Sequence, residues 1–198
     1  MKYTTSHTLI LRWAPKAGGV FSINDLRNLF NQQNDVLLHR HIRRFEEEGI
    51  LSRFKQGFYT TPDFDPEVLA CRMYPDAYIS LGTILAKRLI IGSIPGKTTY
   101  AVKTGRTRLF TASGRTISYY EAAPELLFGF TTENGVRRAT PEKAFLDTLY
   151  FHQKGRAFSF DIYSDIDTTR LDAERIRSWL PRYNNPRFIS FVTGVLHA

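Results

Sequence analysis

The stretch HRHIRRFEEEGILSRFKQGFY, His39–Tyr59, decides how the first third of the chain is read. It opens with histidines and arginines crowded together, and Glu46, Glu47 and Glu48 follow them. Leu38, Ile42 and Phe45 recur at i, i+4 and i+7, one apolar stripe on a helix from about Asp35 to Glu48. Gly49 supplies the left-handed position that ends such a helix. Beyond it, ILSRFKQGFYTT alternates apolar and polar around Lys55-Gln56-Gly57, which predicts a short hairpin with glycine in its turn. With the stripe turned inward, Leu37, His39, Arg40, Arg43 and Arg44 fall on the outer side. That side is cationic along most of its length and acidic at its far end.

Working outward, two helical patterns precede this one. The first runs from about Ser6 to Ala14, with Leu9, Ile10 and Trp13 on one face. The second follows the KAGG break, with Ser22 as its N-cap and Asp25 three residues on, close to a capping box. It places Ile23, Leu26, Leu29 and Phe30 inward. Helix, short helix, turn, basic helix and hairpin is the order of a winged helix-turn-helix, whose third helix enters the DNA major groove. On that reading Arg40 and Arg43 contact bases or phosphates, while His39 and Leu37 read base edges or thymine methyls. Arg44, Arg53 and Lys55 reach the backbone. The competing reading is a protein-interaction module that docks an acidic partner through the same surface. His39 and His41 have no third ligand on their helix and read as polar surface rather than as a metal site.

The formal net charge of +8 suits a nucleic-acid binder. It is unevenly spread: residues 1–62 carry nine basic and five acidic side chains, and 69–198 carry eighteen and eleven. Between them 63–68 holds three acids, and TTPDFDPEVLA brackets the change with two prolines. The expected organisation is a DNA-binding domain over 1–62, a linker at 63–68 with a helix starting around Pro66, and a larger α+β domain over 69–198. No apolar run approaches the ~20 residues that span a bilayer, so no membrane partner is expected. The N-terminus reads as an amphipathic helix rather than a signal peptide. Cys71, the one cysteine, excludes an internal disulfide, fits a cytoplasmic location and reads as a small core residue.

In the larger domain, residues 80–90 read as a helix capped by Ser80, and segments between 98 and 121 read as short strands. Asn134-Gly135 marks a hairpin turn. TPEKAFLDTLYFHQKG reads as a helix capped by Thr140, with Pro141 first, Gly155 ending it, and Ala144, Phe145, Leu149 and Tyr150 as its core stripe. From Asp172 onward one or two further helices are expected, broken at RYNNP. No acidic residue lies between Asp76 and Glu121. If the strands share a face, Lys97, Lys103, Arg106, Arg108 and Arg115 form a second basic patch, for a longer DNA footprint or an acidic partner.

Sequence signals for catalysis are weak. There is no phosphate loop with its lysine, no G-x-S-x-G and no H-E-x-x-H. IIGSIPGK (90–97) departs from the nucleotide-loop spacing. Glu142 and Lys143 are adjacent rather than spaced as a nuclease E-x-K. Asp161, Asp165 and Asp167 lack a calcium loop's spacing and read as turn caps. Neither an enzyme nor a cofactor is expected.

Three segments together resemble the AbiEi-type antitoxins and related regulators of viral-defence systems. HRHIRRFEEEGILSRFKQGFYTTP is similar to the family's winged helix with its G-[VF]-Y strand, here Gly57, Phe58 and Tyr59. YPDAYISLGTIL is similar to the opening of its second domain, with Leu81 and Thr83 departing from the pattern. RRATPEKAFLDTLYF resembles its [AST]-P-E-[KR]-A-[FL]-x-D helix, carried here by Thr140 to Phe145 and Asp147. The resemblance implies a repressor that binds repeat sites in its own promoter. It also implies a nucleotidyltransferase-type toxin, counteracted without a stable complex, and a C-terminal domain tied to the antitoxin effect that assists DNA binding.

Overall fold

Residues 3–92 and 96–196 are described by the computed structural model, so part of the 90–97 motif lies outside them. The fold is mixed α+β, built on a three-stranded and a six-stranded sheet. The order begins α1 (Tyr3–Trp13), β1 (Val20–Ser22), α2 (Ile23–Leu29), α3 (Asp35–Glu47), β2 (Ser52–Lys55) and β3 (Phe58–Thr60). Ile10, Leu26, Phe30, Leu38, Ile42 and Phe45 close one core between the three helices and the small sheet. Trp13 is not part of that core; it is 44% exposed. The capping box at the start of α2 forms in both directions: Asp25 N–H donates to Ser22 Oγ at 3.1 Å, and Ser22 N–H donates to Asp25 at 2.6 Å.

The sheet has one strand more than the hairpin predicted, because β1 pairs antiparallel with β3 in the order β1-β3-β2. Three residues are too few for alternation to show. What makes the strand possible is the pair of left-handed glycines before it, Gly18 and Gly19. A Cβ on Gly19 would sit 2.8 Å from Phe64 Cα and 2.4 Å from Thr61 Oγ1, so no larger residue fits without moving backbone.

The chain continues as α4 (Pro66–Met73), β4 (Tyr78–Ile79), α5 (Leu81–Lys87), β5 (Thr98–Lys103), β6 (Arg108–Ala112) and β7 (Arg115–Glu121). Then come β8 (Phe130–Glu133), β9 (Val136–Ala139), α6 (Pro141–Gln153), α7 (Ala173–Trp179) and α8 (Pro186–Leu196). The large sheet runs β6-β7-β5-β4-β9-β8, with parallel pairs β5–β7 and β4–β9. Asn134 and Gly135, both at positive φ, turn β8 into β9 as expected. The break before α8 falls at Asn184, also left-handed. Helix α6 buries far more than the predicted stripe: Glu142, Lys143, Asp147, Thr148 and Phe151 are buried too, and Tyr150 is only half-buried. Cys71 is buried, with Sγ 3.8 Å from the Arg137 carbonyl, and burial pushes its thiol up.

The segment expected to act as a linker is packed. Phe64 is buried edge-on to Phe54 of β2, and α4 starts at Pro66 under an Asp65 cap. At the other end of α4, Arg72 donates to the Val20 carbonyl at 2.6 Å and pairs with Asp25. Burial raises the Asp25 pKa, but the Ser22 hydrogen bonds and Arg72 outweigh it and hold the carboxyl below the usual 3.8. A depressed carboxylate stabilises the fold above its unfolded pKa, and that contribution is lost as pH falls through the lower folded value. Asp25→Asn should therefore lower stability at neutral pH and flatten its fall below about pH 4, measured by urea unfolding across pH.

Candidate nucleic-acid interface

Helix α3 begins at Asn34, whose side chain accepts from Leu37 N–H at 3.1 Å. Arg27 of α2 reaches Asp35 at 2.7 Å and ties the two helices together at the turn. The stripe of Leu38, Ile42 and Phe45 is buried, so Leu37, His39, Arg40, Arg43 and Arg44 are exposed together. One more residue belongs to this surface: Val36, 68% exposed, four positions before Arg40 and on the same side. Its helical position marks it, although an apolar side chain invites assignment to the core. With Leu37 at 38% exposure it gives the first turn an apolar tip ahead of the arginines.

The outer charges are partly held within the helix. Arg43 Nε pairs with Glu47 at 3.0 Å, and Arg44 Nε pairs with Glu48 at 3.2 Å. Exposed i, i+4 pairs of this kind contribute only about 0.3–0.5 kcal/mol, so an incoming phosphate can compete for either arginine. Among the described residues Arg40 forms no ion pair, which leaves it the readiest cation of the face. His41 turns toward the core edge: it is half-buried beside the Phe30 ring, and its Nδ1 is sealed without a hydrogen-bond partner.

On the hairpin the two expected backbone contacts part company. Arg53 is exposed. Lys55 is not available in the same way, because its ammonium lies 4.9 Å from the Tyr74 ring centre and 4.8 Å from that of Phe110. Phe110 is on β6, the edge strand that packs against β2. The lysine thus fastens the hairpin to the large sheet.

The second basic patch does not form as one face. Lys103 is 4% exposed; its ammonium donates to the carbonyls of Thr104 at 2.7 Å and Arg106 at 2.9 Å. The exposed members divide between the two ends of the strands. Arg106 and Arg108 lie where β6 begins, whereas Arg115 starts β7 beside Lys97, whose carbonyl accepts from Thr116 N–H. Arg108 and Ala112, the residue opposite Arg115, are four steps apart on β6, about 13 Å at strand rise.

No family model matches this chain, and no curated protein does. Among solved structures, the crystal structure of the RV2827C protein from Mycobacterium tuberculosis is similar, with a TM-score of 0.63 at 14% sequence identity. The match covers 98% of this chain and 77% of that one. At this identity the likeness is one of fold.

The PEKAFLD helix has its chemistry inside the molecule. Lys143 Nζ, wholly buried, donates to Asp147 at 2.6 Å and lies 3.2 Å from Tyr183 Oη. The other oxygen of Asp147 accepts from Tyr78 Oη at 2.9 Å and Ser80 Oγ at 2.7 Å. Burial first, and the Asp147 charge second, hold the Tyr78 and Tyr183 phenols well above their usual pKa, so both stay protonated; Tyr78 donates to Asp147, and Tyr183 Oη accepts from Lys143. The Ser80 hydroxyl is therefore committed to Asp147 and makes no cap bond to α5, contrary to expectation. Thr140 does cap α6, accepting from Lys143 N–H at 3.3 Å. The aspartates near 161–167 act as turn caps: Asp161 accepts from Tyr163 and Ser164 N–H, and Asp167 from Thr169 N–H. Among the described residues no grouping of three or more His, Cys, Asp or Glu could hold a metal. Nor is any described helix long and apolar enough to cross a membrane.

Proposed function

We propose that this chain is a sequence-specific DNA-binding repressor of the AbiEi antitoxin type, acting in the cytoplasm on its own promoter. In this reading α1 to β3 form a winged helix-turn-helix, with α3 as the recognition helix and β2–β3 as the wing. The observation that carries it is the exposed face of α3, where Val36 and Leu37 lead into Arg40 and Arg43. Apolar tips suit thymine methyls and arginines suit guanine edges or phosphates. Arg53 extends the contact along the backbone. The functional partner is a nucleotidyltransferase-type toxin, opposed without a stable complex, and no cofactor is involved.

A footprint on the DNA upstream of the protein's own gene tests this directly. The expected result is protection of short repeats that Arg40→Ala/Arg43→Ala erases while the protein stays folded. Absence of protection at low salt would overturn the repressor reading in favour of a module that docks an acidic protein.

A further inference from the structure

Helix α5 closes on a leucine where this chain elsewhere uses glycine. Leu89, at a φ of 55°, is the first residue past the Arg88 cap. Its N–H donates to the Ala86 carbonyl at 3.0 Å, and Ile90 N–H reaches back to the Leu85 carbonyl at 2.9 Å. These are the paired bonds that end a helix through a left-handed residue. After α3 and α6 the same place is held by Gly49 and Gly155. A leucine there is strained, because its Cβ crowds the following carbonyl. Packing within the chain does not offset the strain: Ile90 is the residue that turns into the core, while Leu89 is 71% exposed, the most exposed large apolar side chain among the described residues. Neither the turn nor the core calls for this side chain, and a surface that covered it would.

A cleft of about 500 Å³ lies where the end of α1 meets the Gly18-Gly19 turn, the residues after α3 and the segment leading into α4. Its walls are apolar, with Leu11 59% exposed on the rim. Among the described residues its charged lining is Asp63 and Asp65, with no cation. Asp65 is occupied in capping α4, whereas Asp63 is exposed and has no ion pair among the described residues. Arg88, next to Leu89, is likewise exposed and without an ion pair among them. An apolar cleft with an acidic rim thus complements a bare leucine flanked by a guanidinium. Asp65 also lines a second cleft, of about 350 Å³, that runs to Ala86 and Lys87 at the end of α5. Leu89 and the α1 cleft therefore occupy neighbouring parts of the surface, where a two-fold axis lets each copy supply both halves of the contact. We propose that the chain pairs with a second copy of itself in this way, each copy seating Leu89 in the other's α1 cleft and setting Arg88 against Asp63.

Sedimentation equilibrium of the full chain without DNA tests the pairing, and its failure would leave the repressor reading untouched. A monomer–dimer equilibrium is expected, with no larger species. Leu89→Gly, Asp63→Lys and Arg88→Asp should each weaken dimerisation about tenfold or more. Asp63→Lys/Arg88→Asp should restore it, since each reversed charge meets the other across the two-fold. In dilute solution, where the parent is monomeric, Leu89→Gly should unfold at no lower temperature than the parent, because glycine accepts the left-handed turn without strain. A chain that stays monomeric up to its solubility limit, dimers indifferent to Leu89→Gly, or assemblies that grow beyond two would each overturn the proposal. So would a charge swap that restores nothing, or earlier unfolding of Leu89→Gly, which would make the leucine a support of its own fold.

Discussion

Asp147→Ala should unfold at much lower urea than the parent chain, with a loss of ~3–5 kcal/mol at neutral pH. The substitution leaves Lys143 fully buried without its counter-charge, and it strips Tyr78 and Ser80 of their common acceptor. Against a total stability of ~5–15 kcal/mol for a typical protein, that is a large share. The paired change Lys143→Met/Asp147→Leu separates the two causes. Replacing a buried ion pair by apolar residues is often neutral or better, yet here three hydroxyls would remain without partners. Partial recovery is thus expected, short of the parent. Full recovery would mean that the hydroxyls of Tyr78, Ser80 and Tyr183 add nothing, and the cluster would reduce to its ion pair.

That cluster also shows where reading a sequence stops. Lys143 and Asp147 are an i, i+4 pair, which on its own looks like an exposed helix face. Their burial depends on Tyr78 and Ser80, 69 and 67 residues away, and no local pattern announces that distance. Helix α3 lies at the other extreme: its stripe, its N-terminal turn and its terminating glycine are all local, so the element and its outer side are legible except for Val36, whose apolar side chain hides its exposure. Lys55 and Lys103 fall between these cases. Alternation assigns each a side of its strand but does not say what packs there. For Lys55 the answer is the Phe110 and Tyr74 rings, and for Lys103 a pair of carbonyls and Tyr74. Most lysines are surface charge, and the rule fails for Lys55 where β2 packs against β6 and for Lys103 where the chain leaving β5 folds its carbonyls back over the ammonium.

The same distinction sets the second large effect, on the DNA affinity that the proposed function requires. Arg40→Ala/Arg43→Ala should weaken operator binding by roughly 30-fold to 10⁴-fold, since each well-placed arginine contact contributes ~1–3 kcal/mol. Arg40, Arg43, Arg44 and Arg53 supply about four phosphate-capable cations, so log affinity should fall with log salt at a slope near −3.6. The double substitution should reduce that slope by about two, and Arg53→Ala by about one. Lys55→Ala separates contact with DNA from support of the hairpin. Held between two rings, this ammonium is not free to release a counterion, so its loss should leave the slope unchanged. What it should cost instead is ~0.5–2 kcal/mol of folding stability, the range of a cation–π contact. A slope that drops by one in Lys55→Ala would place the lysine on the phosphates, and the hairpin would then have to leave β6 when DNA binds.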